Sequence, residues 1–450
     1  MASPELQKTD EVKQVLYESI VWRGLYYAVA FILNVLIARV FEASVSGYLL
    51  YIIAYYTLFV LLFGLSLESG IGYFASKQAM PPARLMNLAL LWTLGAAVLV
   101  VIIFSIYIPS SLHGLSFPFV LISSTVYIAG HILIAFCNGF FYARKNFFLP
   151  NLISVVINIL LIAILLGMAA GGLTEIETTD YLYIFFSSFL LQGLVLFVAS
   201  LIYFKIPLKI SLSNTGEYKL LVQYSFRAFI SNLVFFLLYR IDYWFVEQYA
   251  VPHHMGNYLQ ASKLANIFMI MPTIIGSAIF PLTAGGSRQE VNQQLQTIAK
   301  GIFVCYFILC GLLAITGAWF LPWIYGHSFD KLYPTFLLLV PGILALATLY
   351  PFSAYYAGKD RIVVNIKGSL LALIVIVAGD LIFIPSGGIY AAAIVSSVGY
   401  IVLQLYIVIT FVKEYDLSIT GFFKIGRHDL NRIRLLLIKS KLNTEKDGKK

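Results

Sequence analysis

Charge is what this chain has least of. Asp, Glu, Lys and Arg make up 11% of its 450 residues, where a soluble domain carries about 25%. Hydrophobic residues reach 60% and mean hydropathy is +0.88, so the several soluble domains that the length would suggest are excluded. Cysteine is scarce too. The three present, Cys137, Cys305 and Cys310, all lie in apolar runs, which reads as small core residues rather than disulfides or metal ligands. No cleavable leader is visible, because residues 1–18 are polar and of mixed charge. There is no P-loop, no His/Cys metal spacing, no glycine-rich dinucleotide loop after a strand, and no paired carboxylates at any one expected site. With no sizeable soluble domain either, the chain reads as a non-enzyme without cofactor or metal.

What is present is a series of apolar stretches of about twenty residues, the length that crosses a hydrocarbon core of roughly 30 Å. Twelve are expected, over 19–41, 47–67, 84–108, 117–141, 149–170, 181–204, 219–249, 256–281, 297–320, 333–356, 363–384 and 388–412. They are too long and continuous for barrel strands, so each is read as a helix. The fold class is an all-α polytopic membrane protein. Trp22, Trp319 and Trp323 near span ends suit the interface.

Lys and Arg set the orientation. One set of connections holds Lys77, Arg84, Arg144, Lys145, Lys205, Lys209, Lys219, Arg288, Lys300, Lys359, Arg361 and Lys367. The other set has little basic charge beyond Arg39 and Lys331, and it carries Glu42, Glu175, Glu177, Asp180, Glu247 and Asp330. By the positive-inside rule the first set is cytoplasmic, and an even span count puts both termini there as well. The expected organisation is a cytoplasmic segment 1–18, a six-helix lobe 19–204, a cytoplasmic linker 205–218, a second six-helix lobe 219–412 and a basic tail 413–450. In the tail, basic residues such as Lys424, Arg427 and Arg434 alternate with Phe and Leu. That pattern fits either a segment lying on anionic headgroups or a plain stop-transfer cluster. A short tail tethered to a membrane is not a nucleic-acid binder.

The halves repeat weakly. The second span opens with Gly47-Tyr48-Leu49-Leu50 and the eighth with Gly256-Asn257-Tyr258-Leu259. Each follows a long helix with an Arg near its outer end, Arg39 or Arg240. Six spans per half would relate the halves by an axis along the membrane normal.

Several ordered elements carry a resemblance. They are Tyr239-Arg240-Ile241-Asp242-Tyr243, Gly256-Asn257-Tyr258, Ile279-Phe280-Pro281, Ile324-Tyr325-Gly326-His327 followed by Tyr333, Pro341-Gly342-Ile343, Tyr355-Tyr356-Ala357-Gly358-Lys359, and Ile384-Pro385 followed by Gly387 to Ala393. In this order, over nearly the whole chain, they resemble the polysaccharide flippases of the MOP (multidrug, oligosaccharidyl-lipid, polysaccharide) exporter superfamily, in particular the O-antigen or capsule branch. The resemblance implies a V-shaped, two-lobed, MATE-like fold in the bacterial cytoplasmic membrane. It implies export of a polyprenyl-diphosphate-linked oligosaccharide, with membrane lipids and other polysaccharide-assembly membrane proteins as partners. The peptidoglycan-precursor branch usually has two further helices, which are not found.

The charges kept inside the spans are mostly positive: Arg23, Arg39, Arg227, Arg240 and Lys263, against Asp242 and Asp380. An ion in hydrocarbon is costly, so it faces water, a partner or a substrate path. Arg227 lies roughly 12 Å into its helix at 1.5 Å per residue, and in this fold its helix and that of Arg23 would face each other from opposite lobes. The two could grip a diphosphate, with Lys263 completing a cationic cavity. Equally, Arg23 could snorkel and Arg227 could cap carbonyls in its own lobe. Arg240 and Asp242, two apart, point to different helix faces. Lys263 is the expected salt-bridge partner of Asp242, and Arg39, Arg240 and Asp242 are gate candidates. Asp380 is expected to be hydrated at the interface, and His131 to be a hydrogen-bonded core residue. A lipid-linked saccharide flippase is the leading reading. A MATE-like drug or cation antiporter, a lipid II flippase and a membrane-embedded polymerase are the alternatives. The drug antiporter calls for cavity carboxylates that the first helix lacks beyond Glu18, and the polymerase for a large external loop.

The topology is directly testable. In intact cells, cysteines introduced at Glu177 and Ser328 will react with an impermeant thiol reagent and one at Lys209 will not. Labelling at Lys209 reverses the orientation.

Overall fold

The computed structural model describes residues 4–109, 112, 114–173, 177–207, 215–282 and 288–417. The basic part of the tail read from sequence lies outside them. Among the described residues the regular elements are all helical: α1 Pro4–Gly64, α2 Leu67–Ser76, α3 Pro82–Ile106, α4 Phe117–Ala143, α5 Phe148–Ala169, α6 Thr178–Tyr203, α7 Thr215–Tyr249, α8 Pro252–Phe268, α9 Ile270–Leu282, α10 Arg288–Tyr325, α11 Leu332–Gly358 and α12 Ile362–Glu414.

Nine of the described helices are long and apolar enough to span a membrane. Two of the nine each contain two spans, because α1 breaks at Glu42 and α12 at Gly388. A further span is divided between α8 and α9. Resolved this way, the described helices give the twelve crossings expected from hydropathy, and the chain is a multi-pass all-α membrane protein.

Two of the breaks have a chemical reason on hand. Gly388 has φ 57° and ψ −142°, a conformation open to glycine and closed to most other residues. Around it α12 folds back on itself. Gly368 meets Tyr406, Ile376 meets Gly399 and Gly379 meets Val395, so the pairs close toward residues 387–388 as in an antiparallel hairpin. Between α8 and α9, Pro272 cannot supply the N–H that would bond the carbonyl of Phe268. The Tyr306 hydroxyl of α10 donates to that carbonyl instead. Within a bilayer such a replacement is what makes a broken helix tolerable.

The chain divides into two compact units, Met1–Glu42 with Leu49–Leu233, and Ala43–Tyr48 with Val234–Lys450. The division falls inside α7, not in the connection 205–218. The first part of α7 is tied to the first unit by its own contacts. Arg84 Nη1 donates to Glu217 Oε2 at 2.7 Å, Tyr224 stacks on Tyr73 at 4.6 Å, and Asn232 Nδ2 donates to Ser66 Oγ at 3.0 Å. Elsewhere in this unit α4 and α6 cross closely, with the α carbon side of Gly130 against the backbone of Phe189 and Leu190. Gln192 Nε2 donates to Ser154 Oγ at 2.6 Å to link α6 with α5.

The short segment Ala43–Tyr48 belongs to the second unit. The Ala43 amide donates to Ser328 Oγ at 3.1 Å. Gly47 packs on Gly256, so that a methyl group on Gly47 would sit 2.2 Å from the Gly256 Cα, and one on Gly256 would sit 1.8 Å from the Ala43 carbonyl oxygen. The two glycines matched by the sequence repeat therefore touch.

Replacing Gly256 by Ala forces backbone apart and should cost about 1–3 kcal/mol, the range of overpacking. Gly311, inside α10, has nothing within 4 Å of the same added group, and Gly311→Ala should stabilise by up to about 1 kcal/mol through helix propensity. Thermal unfolding of the purified variants compares the two; equal melting temperatures would contradict the packing at Gly256.

Candidate functional site

In the first unit, Arg23 is exposed and lies over two rings of an aromatic wall, 4.5 Å from the Tyr142 centroid and 5.3 Å from that of Phe147. Tyr142 and Phe147 themselves stack at 5.0 Å. A guanidinium held over ring faces is positioned by cation–π attraction, and Arg23 also hydrogen-bonds the Tyr142 hydroxyl. Arg227, on α7, is exposed and has no polar partner among the described residues. Both arginines fall in the first unit, so they do not come from opposite units as expected. The reason is the adhesion of the first half of α7 to α2. Arg39 is exposed near the end of the first span.

The second unit holds a denser polar cluster, on α7, α8 and both arms of α12. Asp242 is 2% exposed. Its Oδ2 accepts hydrogen bonds from the Tyr258 hydroxyl and, at 3.3 Å, from Ser396 Oγ. The expected Lys263–Asp242 salt bridge does not form. Among the described residues no carboxylate pairs with Lys263 or with Arg240. Lys263 instead lies within electrostatic reach of Arg240. Arg240 points away from Asp242 along the helix, as a spacing of two residues demands. It donates to the Tyr243 hydroxyl and lies over that ring at 4.8 Å, and Tyr243 donates to Ser262 Oγ at 3.0 Å. Two half-buried cations thus lie within electrostatic reach of each other, neither in a salt bridge among the described residues.

Asp380 is also corrected by the structure. It is 0% exposed, not hydrated at an interface, because the hairpin in α12 folds its second arm over it. It lies within electrostatic reach of Asp242. His131 is the core residue expected: its Nδ1 is 3.3 Å from the Tyr127 carbonyl, and its ring sits between Tyr127 and Phe189 at 4.0 and 4.3 Å. Among the described residues no group of three or more His, Cys, Asp or Glu could hold a metal.

Sequence reasoning missed Tyr258, Ser396 and Tyr400 as members of the cluster. Tyr258 is in the Gly-Asn-Tyr motif that opens α8, and that was the available signal. Ser396 and Tyr400 carried none, because their place depends on the hairpin.

With the geometry in hand, the comparisons are informative about fold. No family model matches the chain, and no curated protein matches it. Solved structures do. The lipid II flippase MurJ in an inward closed conformation superimposes with a TM-score of 0.68 at 15% identity, over 94% of this chain and 93% of that one. An inward-facing multidrug resistance MATE family transporter of the MOP superfamily gives 0.71 at 12%, over 88% and 96%. A MOP superfamily transporter from Pyrococcus furiosus, described as having a binding pocket of reverse polarity, gives 0.62 at 13%, over 92% and 96%. The chain therefore has the transporter fold shared by MOP superfamily members.

A double-mutant cycle tests the contacts of Asp242. Tyr258→Phe and Asp242→Asn share a hydrogen bond and should couple by about 0.5–3 kcal/mol in unfolding free energy. Lys263→Met and Asp242→Asn share no contact and should add within about 0.5 kcal/mol. Strong coupling in the second cycle would restore the salt bridge.

Proposed function

We propose that this chain is a flippase that moves a polyprenyl-diphosphate-linked oligosaccharide across the bacterial cytoplasmic membrane by alternating access. The observation that carries the reading is the cation pair Arg240 and Lys263. Two positive charges on neighbouring spans, neither in a salt bridge although Asp242 lies within the field of Arg240, are costly and are offset by an anionic ligand. A diphosphate headgroup supplies about two negative charges and accepts charge-assisted bonds from both. Arg23, braced on aromatic rings, and Arg227 offer further guanidinium donors in the first unit for a headgroup in transit. The name of the MurJ neighbour, a lipid II flippase, supports a lipid-linked cargo.

Export of cationic drugs is the competing reading, since MATE transporters are equally similar in fold. It needs carboxylates that a cargo can reach. Asp242 and Asp380 are 2% and 0% exposed, whereas Arg240 and Lys263 are half-buried. The groups open to a large ligand are the positive ones. Orientation with both termini in the cytoplasm and contact with other polysaccharide-assembly proteins accompany this proposal.

In a strain lacking the native gene, Arg240→Gln and Lys263→Gln should each lower surface glycan about tenfold or more, the scale of one lost charge-assisted hydrogen bond. Lys263→Arg should retain most export. Arg23→Gln should act in the same direction and more mildly. Normal membrane insertion with wild-type export in both Gln variants would end the anionic-cargo reading.

A further inference from the structure

In the first unit a groove runs along α3, and it exists because α1 stops. The second arm of α1 ends at Gly64, where Leu65 and Ser66 both take left-handed backbone, with φ 47° and 51°, a conformation that cannot continue a right-handed helix. The Phe63 carbonyl at this end accepts a hydrogen bond from Trp92 Nε1 of α3 at 2.7 Å. That bond holds the indole against the end of α1 and uses its only polar atom. Beside it opens a groove of about 770 Å³, walled by the end of α1 and by the α3 face from Leu88 to Leu99, a volume within the range of ligand sites. Gly95, three residues past Trp92, is exposed and has nothing within 4 Å of an added methyl group, so the slot is open there. Tyr218 of α7 lines the groove as well.

We propose that this groove binds one anionic phospholipid, with an acyl chain laid along α3 and the phosphate beside Arg84 and Tyr218; phosphatidylglycerol is the probe. Depth selects the chain. From Leu88 to Leu99 the groove runs roughly 16 Å at 1.5 Å per residue, close to half of a hydrocarbon core of roughly 30 Å, which is one leaflet. Its α3 lip, Leu94, Val98 and Leu99, is exposed, and on a membrane-spanning helix such a lip meets lipid tails. Charge selects the headgroup. Arg84 lies four residues before Leu88 and so on the same face of α3, and the exposed Lys219 follows Tyr218. Arg84 Nη1 donates to Glu217 Oε2, and among the described residues Nη2 and Nε have no partner. Arg84 and Lys219 less Glu217 leave one net positive charge, which a singly charged phosphate diester neutralises. A zwitterionic phospholipid brings its own cation to the same place and gains less. Basic sites at helix ends on the membrane edge take anionic headgroups for this reason. The site is independent of the cargo: it stands whether the transported molecule is a lipid-linked glycan or something else.

The test uses the full chain, purified in detergent and freed of lipid, without any cargo. Native mass spectrometry counts the phospholipid bound on titration with phosphatidylglycerol or with phosphatidylcholine of the same acyl chains, and thermal unfolding is followed in parallel. Wild-type protein should bind one phosphatidylglycerol saturably, about tenfold or more tighter than phosphatidylcholine, the scale of a charge-assisted hydrogen bond. Its melting temperature should rise with phosphatidylglycerol. Gly95→Leu fills the slot from an open position and should weaken binding of both phospholipids about tenfold. Arg84→Gln and Lys219→Gln should each weaken phosphatidylglycerol binding and leave phosphatidylcholine unchanged, which separates headgroup from chain. Should Arg84→Gln fail to fold for want of its bond to Glu217, Lys219→Gln decides the matter. Equal affinity of wild type for the two phospholipids would reduce the groove to ordinary bilayer contact and overturn the proposal. So would wild-type binding in Gly95→Leu, which puts the lipid elsewhere. Displacement of phosphatidylglycerol by an equimolar polyprenyl phosphate would also overturn it, by assigning the groove to a prenyl chain.

Discussion

Hydrocarbon offers no hydrogen bonds, and the helix breaks at Pro272 and Gly388 are organised around that fact. The helical rule is kept over most of the twelve crossings and broken at a few places. At Pro272 and at Gly388 the freed group has a substitute or the backbone needs none. Pro272 releases the Phe268 carbonyl and Tyr306 supplies the missing donor. The turn at Gly388 uses a backbone conformation that only glycine adopts easily, so the chain reverses without a polar loop. The same demand governs side chains. Gln192 finds Ser154, Asn232 finds Ser66, and Tyr258 finds Asp242. Among the described residues, Asp242 Oδ1 and both oxygens of Asp380 are buried polar atoms that find no such partner.

Charge is distributed by accessibility as well as by sign. In the second unit the acids are sealed behind the α12 hairpin, while Arg240 and Lys263 keep partial contact with the outside. In the first unit the arginines are exposed, one of them laid flat on aromatic rings. Arg240 is a neighbour of both signs, since its field reaches Asp242 and Lys263.

Much of this architecture was legible from sequence. Hydropathy located all twelve crossings, because length and apolarity are local properties. It placed the breaks at 42–47 and 384–388 to within a few residues. What it could not reach depended on packing. The unit boundary falls within α7 because Glu217, Tyr224 and Asn232 are bound to the first unit, and no local pattern announces such contacts. Asp380 looked like an interfacial acid from its position near a helix end, and only the fold of the following arm shows that it is enclosed. Lys263 was paired with Asp242 by proximity in the topology, whereas direction around the helix sends Tyr258 there instead. The repeat of Gly47 and Gly256 was weak as a sequence signal, and its physical meaning emerged only when the two were found in contact.

That contact has an evolutionary side. Most tight packing can trade volume, with one partner growing as the other shrinks. At Gly47 and Gly256 both partners are already at the smallest size a residue can have, and what they meet is main chain. No compensating substitution exists for either position, because nothing is smaller than hydrogen. Drift is closed off there while the side chains around it remain free to vary, so a lineage that kept this crossing would keep both glycines long after the rest of the sequence had become unrecognisable.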